Sequence, residues 1–262
     1  MKQELIKPVV RVGNSAGVIL PKEWLNGIAK IKLVEQALNL KKEILEILSP
    51  YLEKTQGIYL VGSYARGEQT ERSDIDVLVI TNKIRKKIET GRYSIILIPK
   101  EDLEKQLQNN ALPILPMIKE AKAIINYQLI NEYKEKSKLN QKNLKRRIEL
   151  SKSSLSIDRE MIKLDKEWPS NCSDAVAYSL ILNLRTVYII DKLRRNEKVS
   201  NKEVISLIKK VSGSLKAHEG YLRVKNNKKQ EEEIPIEEAD KLYHYILKRL
   251  KEIEKWLKEK KD

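Results

Sequence analysis

One stretch limits what this 262-residue chain can fold into more than any other. It is Gly62-Ser63-Tyr64-Ala65-Arg66-Gly67, followed by Ser73-Asp74-Ile75-Asp76-Val77-Leu78-Val79-Ile80. Ile58 to Val61 is a short apolar run rich in β-formers. It ends on a glycine, which predicts a strand entering a sharp turn. A short helix then opens, and a second strand carries the carboxylates. Side chains two apart on a strand share a face, so Asp74 and Asp76 converge. The amides that open the helix, with the Ser63 hydroxyl, suit a phosphate. Two hard oxygen ligands beside that cradle suit Mg²⁺ bound to a nucleoside triphosphate. The competing reading is an ordinary surface turn before an acidic strand start.

The pattern G-S-x-x-R-G, a spacer, then S-D-I-D and four apolar residues runs unbroken from Gly62 to Ile80. It resembles the minimal nucleotidyltransferases of the polymerase-beta superfamily. The resemblance implies an α/β domain, here residues 37–130, with Asp74 and Asp76 catalytic and holding Mg²⁺ or Mn²⁺. It places Gly62, Ser63, Arg66 and Ser73 at the nucleotide. Ser63 and the following amides would hold the β- and γ-phosphates. Arg66 would pair with a phosphate or make a structural salt bridge. Ser73 would contact the nucleotide or only orient the strand start. The implied reaction moves a nucleotidyl group from a triphosphate to an acceptor hydroxyl, and pyrophosphate leaves. Members of the family draw a third carboxylate from a later strand. The strand in that place, Tyr93 to Ile98, has none; Glu89 precedes it, and Glu101 and Asp102 follow. A nucleotide sensor without turnover therefore stands beside the enzyme reading.

Around the motif, Leu38, Ile44, Leu45, Ile47 and Leu48 predict a helix over Gln36–Glu53, shortened near Pro50. Lys83 to Lys87 reads as a solvated loop. A helix from Glu101 is interrupted by Pro113 and Pro116, and Ala121 to Tyr127 reads as a last short strand.

Ahead of this domain, Leu5–Val12, Gly17–Leu20 and Ile28–Val34 read as strands. Gly13-Asn14-Ser15 is a turn and Pro21 to Leu25 a single helical turn. Val10-Arg11-Val12-Gly13-Asn14-Ser15-Ala16-Gly17-Val18-Ile19-Leu20-Pro21, with Trp24-Leu25, resembles the AbrB/MazE/SpoVT family of swapped-hairpin DNA-binding domains. Such a unit, residues 1–36 here, is too small to bury a core alone. The resemblance implies half of a β-barrel completed in a homodimer. It also implies contact with double-stranded DNA through Lys7, Arg11, Asn14 and Ser15, with Lys22 further out. A dimerisation module without DNA binding is the alternative.

Residues 131–262 read as helices: Asn140–Asp165, Asp174–Arg195, Ser200–Val211 and Ile236–Lys260. The second is apolar nearly all round and is the expected central helix. The domain loosely resembles the HEPN and kanamycin-nucleotidyltransferase C-terminal bundles. The histidines, His218 and His244, follow no arginine at the HEPN ribonuclease spacing, which argues against that activity. The expected architecture is thus a multidomain α+β chain: a swapped-hairpin β-barrel half, a central α/β nucleotidyltransferase domain and a C-terminal helical bundle.

Charge supports a polyanionic partner. Net charge is +15, and residues 131–262 hold thirty-two Lys and Arg against twenty-two acids. A solvated, lysine-rich surface is the plainer reading; the Lys/Glu/Ile-heavy usage suggests a thermophile. One cysteine, Cys172, excludes an internal disulfide and fits a reducing cytoplasm. No apolar run is long enough for a bilayer span. A component of a toxin–antitoxin system, with a toxin or an acceptor protein or RNA as partner, is a third expectation, because both resembled domains occur in antitoxins.

Overall fold

Gly13 takes φ +60°, the left-handed region open to glycine. It folds Val9–Val12 (β1) back on Ser15–Val18 (β2) as an antiparallel hairpin pairing Val12 with Ser15. The computed structural model describes residues 5, 7, 9–31, 39–71, 73–167, 171–229, 231 and 234–259. It divides into two units, Met1–Glu46 and Ile47–Asp262. The first strand is shorter than expected, and the second begins at Ser15 rather than Gly17. Lys22–Trp24 is the expected helical turn. No strand runs over residues 28–31, and 32–34 lie outside the described residues. The barrel half expected at the N-terminus is therefore a two-stranded sheet among the described residues. Its apolar side chains lack cover: Val9, Val12, Ile19, Leu25, Ile28 and Ile31 are all more than half exposed.

The first helix, Leu40–Leu48 (α1), is shorter than the Gln36–Glu53 expected, with residues 36–38 outside the described set. It gives way to a 3₁₀ turn, Ser49–Lys54, with Pro50 in its first positions. Proline donates no amide to an α-ladder, so the helix stops there.

Five strands form the central sheet: Thr55–Val61 (β3), Ile75–Thr81 (β4), Lys86–Thr90 (β5), Tyr93–Pro99 (β6) and Lys122–Ile125 (β7). Their order is β5-β6-β4-β3-β7, with β4 and β6 parallel and the other neighbours antiparallel. β4 is covered on both faces, and Ile75, Val77, Leu78, Val79 and Ile80 are all buried. That is why it reads as a continuous apolar run. The basic stretch expected as a loop instead enters β5 at Lys86. The β6 ladder captures it, with Ile88 opposite Ile95 and lysines facing out, a usual guard on an edge strand.

Gly62–Arg66 (α2) joins β3 to β4. Lys100–Asn109 (α3) and Leu115–Glu120 (α4) are the two pieces of the proline-interrupted helix, and Pro116 lies in the first turn of α4. Tyr127–Lys136 (α5) straddles the expected 130/131 boundary. Its Ile130 and Tyr133 pack with Tyr59, Val61, Leu78 and Ile80 in the core of the sheet.

The remainder is helical: Gln141–Glu167 (α6), Asp174–Arg194 (α7), Asn201–Ser212 (α8), Lys216–Lys225 (α9) and Ile236–Glu259 (α10). As its pattern requires, α7 is the buried centre: Ala177, Leu180, Ile181, Leu184 and Ile190 are fully covered. Ser173 and Ser200 cap α7 and α8 by accepting amides three residues on. No helix among the described residues is long and apolar enough to cross a membrane.

Candidate active site

The strand–turn–helix–strand unit predicted from the motif is present, and Gly62 is its pivot. The residue has φ +68°. A Cβ there would meet Asp76 Oδ2 at 2.2 Å. Glycine is thus required twice: by the backbone, and by the carboxylate packed over its α-carbon. β3 and β4 bring this about, since Val61 pairs directly with Asp76. Asp74, exposed, precedes the strand, and half-buried Asp76 lies within it. Burial first, and then the neighbouring Asp74 charge, push the Asp76 carboxyl upward; Lys225 and Arg66 oppose the rise. A carboxylate raised by the charge of a second one beside it is a fit for a divalent cation, and Mg²⁺ commonly takes one or two protein carboxylates plus phosphate oxygens. No cluster of three metal-ligating side chains occurs among the described residues.

Ser63 is half-buried in the first turn of α2. The N-cap, Val61, offers no side-chain acceptor to the amides that open this helix. Ser73 orders the loop before β4: its hydroxyl accepts the Thr70 amide at 2.8 Å and meets Thr70 Oγ1 at 3.1 Å. Arg92 ties the same loop to α2, donating to Tyr64 Oη at 2.7 Å and to the Ser73 carbonyl at 3.0 Å.

Arg66 does not stand free. Its Nε donates to Glu68 at 2.8 Å and its Nη1 to Glu120 at 2.6 Å, with all three side chains at most 14% exposed. Of its two sequence readings, phosphate ligand or structural salt bridge, the geometry matches the second. Glu120, on the last turn of α4, also accepts the Gly62 amide at 2.7 Å. Gly62 therefore lies between two carboxylates, Glu120 at its amide and Asp76 over its α-carbon. Burial raises the Glu120 carboxyl, the Arg66 guanidinium offsets part of that, and the Asp76 charge adds to it. The strand position where the third acid was sought is Ser94, directly opposite Asp76 in β6.

Glu68 links this turn to the bundle. It accepts the Ser200 hydroxyl and, at 3.0 Å, the Asn201 amide at the start of α8. Burial alone would raise its carboxyl; the bonds from Ser200, Arg66 and Asn201 hold it below the usual glutamate range. An acid at a helix N-terminus also complements the helix dipole. Lys225, at the end of α9, reaches the field of Asp76 from the bundle side.

Motif reading did not find Glu120, Lys225 or the link through Glu68. Glu120 is 54 residues from its partner Arg66, at the end of an unremarkable helical turn, and carries no local signal. Glu68 lay two residues from Arg66, beside the motif, and could have been weighed as its partner. Neither histidine joins the site: His244 Nδ1 lies 2.8 Å from the Asp240 carbonyl on its own helix. Half-buried His218 is driven toward its neutral form, by burial first and then by Arg185. Among the predicted DNA-contact residues, Arg11 Nε donates to the Gly13 carbonyl at 3.0 Å within the hairpin. Lys7, Asn14 and Ser15 are exposed.

A strand, a glycine-pinned turn and a second strand, with one carboxylate just before it and one within it, make up the candidate site. The family model described as "Nucleotidyltransferase domain" matches residues 41–182, more than half of the chain, and the protein belongs to that family. No curated protein sequence matches it. Among solved structures it is similar to a nucleotidyltransferase-like protein from Exiguobacterium sibiricum 255-15, at 15% identity and TM-score 0.38, over 82% of this chain and 75% of that one. It is also similar to spectinomycin adenyltransferase AAD(9) from Enterococcus faecialis, solved with ATP and spectinomycin. That match has 16% identity and TM-score 0.41, over 80% of this chain and 97% of the other.

Proposed function

We propose that the chain binds a nucleoside triphosphate with Mg²⁺ and transfers its nucleotidyl group to an acceptor hydroxyl. The observation that carries this reading is the Gly62 wedge, which packs the Asp76 carboxylate against the turn that opens α2. Asp74 and Asp76 would hold the metal, which when bound offsets charge on the reacting phosphate. Ser63 and the amides after Gly62 receive the terminal phosphates, and Lys225 adds a cation from the bundle side. Glu120 is assigned to holding the turn rather than to taking a proton, because both its oxygens already accept, one from a guanidinium. Glu68 fixes the bundle against the turn, so the cleft walls come from both layers.

Incubation with α-labelled ATP, CTP, GTP and UTP, Mg²⁺ or Mn²⁺ and a cell extract as acceptor source tests the reading. Label should move in the wild type and not in Asp74→Ala/Asp76→Ala. Nucleotide binding without label transfer would favour the sensor, the reading to which Ser94 in place of an acid points.

For the N-terminal unit we propose a homodimer on DNA, and its uncovered apolar residues support the dimer. Two valines, three isoleucines and a leucine at over half exposure are a poor surface for a lone hairpin. Duplex binding should fall steeply with salt and weaken on Arg11→Ala in a mobility-shift titration. Binding that ignores both changes would move the DNA site elsewhere.

A further inference from the structure

Three arginines crowd one end of the bundle. Arg194 and Arg195 end α7, and Arg249 faces them from α10. With Asp191, Glu252 and Trp256 they line a cavity of about 300 Å³. Arg249 is satisfied, since it pairs with both Asp191 and Glu252. The other two are not matched in the same way. Arg194 reaches Asp191 only at 3.5 Å, and its guanidinium lies 3.9 Å from the centre of the Trp256 ring. Its Nε is buried with no hydrogen-bond partner. Arg195 is exposed, and its side chain has no ion-pair partner among the described residues. The three guanidiniums also oppose one another. Burial first lowers the Arg194 value, and after the opposing pull of Asp191 the charges of Arg249 and Arg195 lower it further.

Asp191 and Glu252 are engaged by Arg249, which leaves the Arg195 guanidinium and the buried, unmet Arg194 Nε for something anionic to relieve. The carbonyl end of α7 is the wrong pole for an anion, so the hold must come from the side chains. Guanidinium forks suit the several oxygens of a phosphate, and the indole gives an attached organic group a flat apolar face. The cavity exceeds what a bare phosphate fills.

We propose that this pocket binds the phosphate group of a phosphorylated ligand, with Arg194 and Arg195 as its donors and Trp256 as its wall. Tyr188 stands six residues before Arg194, about 9 Å along α7. Its hydroxyl accepts the amide of Ser200, the residue bonded to Glu68. A ligand here thus occupies the end of α7 that is tied to the nucleotide turn, which suits a phosphate-bearing acceptor. The pocket itself does not depend on the transferase reading.

The test uses the full chain with Trp256 as its single tryptophan (Trp24→Tyr/Trp168→Tyr). Its fluorescence is titrated with inorganic phosphate, pyrophosphate and a short single-stranded oligonucleotide. Calorimetry on the unsubstituted chain repeats the comparison. At least one probe should give a saturable signal that Arg195→Glu weakens ten-fold or more at unchanged melting temperature. Arg194→Lys, which keeps charge but loses the fork, should weaken it several-fold. Tighter binding of the oligonucleotide identifies a nucleic-acid phosphate as the source; tighter pyrophosphate identifies a small molecule. No saturable signal with any probe overturns the proposal. So does equal affinity in Arg195→Glu, or an equal loss in Lys145→Glu on α6, which would mean diffuse charge rather than a site.

Discussion

A methyl group at Gly62 would collide with Asp76 Oδ2 at 2.2 Å, while one at Gly67 would meet nothing within 4 Å. Both glycines have positive φ, +68° and +73°. The pair therefore separates backbone strain from carboxylate placement. Gly67→Ala should cost about 1–2 kcal/mol of stability from the left-handed conformation alone and leave nucleotide binding intact. Gly62→Ala should cost more and abolish nucleotide binding, because Asp76 must move. Melting curves and a nucleotide titration on both variants check this; equal effects at the two sites would remove Gly62 from the site. Glu120→Ala strips one anion from a mostly buried triad and leaves Arg66 with Glu68 alone, so it should destabilise by about 3 kcal/mol in a denaturant titration. Gly62, Ser63, Asp74 and Asp76 were legible in the sequence, because their backbone and spacing requirements are local. Glu120 was not, because its role rests on a contact made across 54 residues.

Between elements, the α6–α7 seam is unusually polar. Asp158 is 4% exposed and accepts the Ser179 hydroxyl at 2.8 Å. Ser154 bridges to Ser179 and Asn183. Burial pushes the Asp158 carboxyl up to about 6, against an ordinary value of 3.8. The folded state thus favours the protonated form. The stability this group contributes is complete below the ordinary value and is lost as pH rises to about 6. Asp158→Asn, which can still accept from Ser179, should remove that slope and gain about 2–3 kcal/mol at neutral pH in chemical denaturation. Identical pH profiles for the two proteins would refute it. At α8, Ser200→Ala should cost about 1 kcal/mol from the lost cap and remove one of the two bonds from the start of α8 to Glu68, the Asn201 amide keeping the other. α6, α7, α8 and α10 were read to within a few residues, because a 3.6-residue apolar period survives any tertiary arrangement. β5 was missed because its lysines point to solvent and only the β6 ladder makes it a strand. The N-terminal third strand was expected from alternation over Ile28–Val34, and no strand runs over residues 28–31. Alternation alone supplies no partner for those backbone groups.

For the molecule as a whole, the two units make separable expectations. Removing residues 1–39 takes away the hairpin and its exposed valines and isoleucines and leaves the sheet and bundle, whose cores are their own. The shortened chain should be monomeric by light scattering, while the full chain is dimeric. A dimer in both would place the contact on the larger unit. The sequence alone determined the glycine-pinned turn, the paired carboxylates, the central strand β4 and the buried helix α7. Each is set by spacing, backbone freedom or apolar period within a few residues. Only the tertiary structure decided that Arg66 is held by Glu68 and Glu120 and that Glu68 also caps the first helical turn of α8. It likewise decided that the charge of Lys225 acts on Asp76 and that three arginines share one cavity. Apart from Arg66 with Glu68 and the neighbours Arg194 and Arg195, those pairings join residues from about fifty to more than a hundred positions apart. Charges so distant in sequence meet only because burying the apolar faces of the sheet and bundle carries them there.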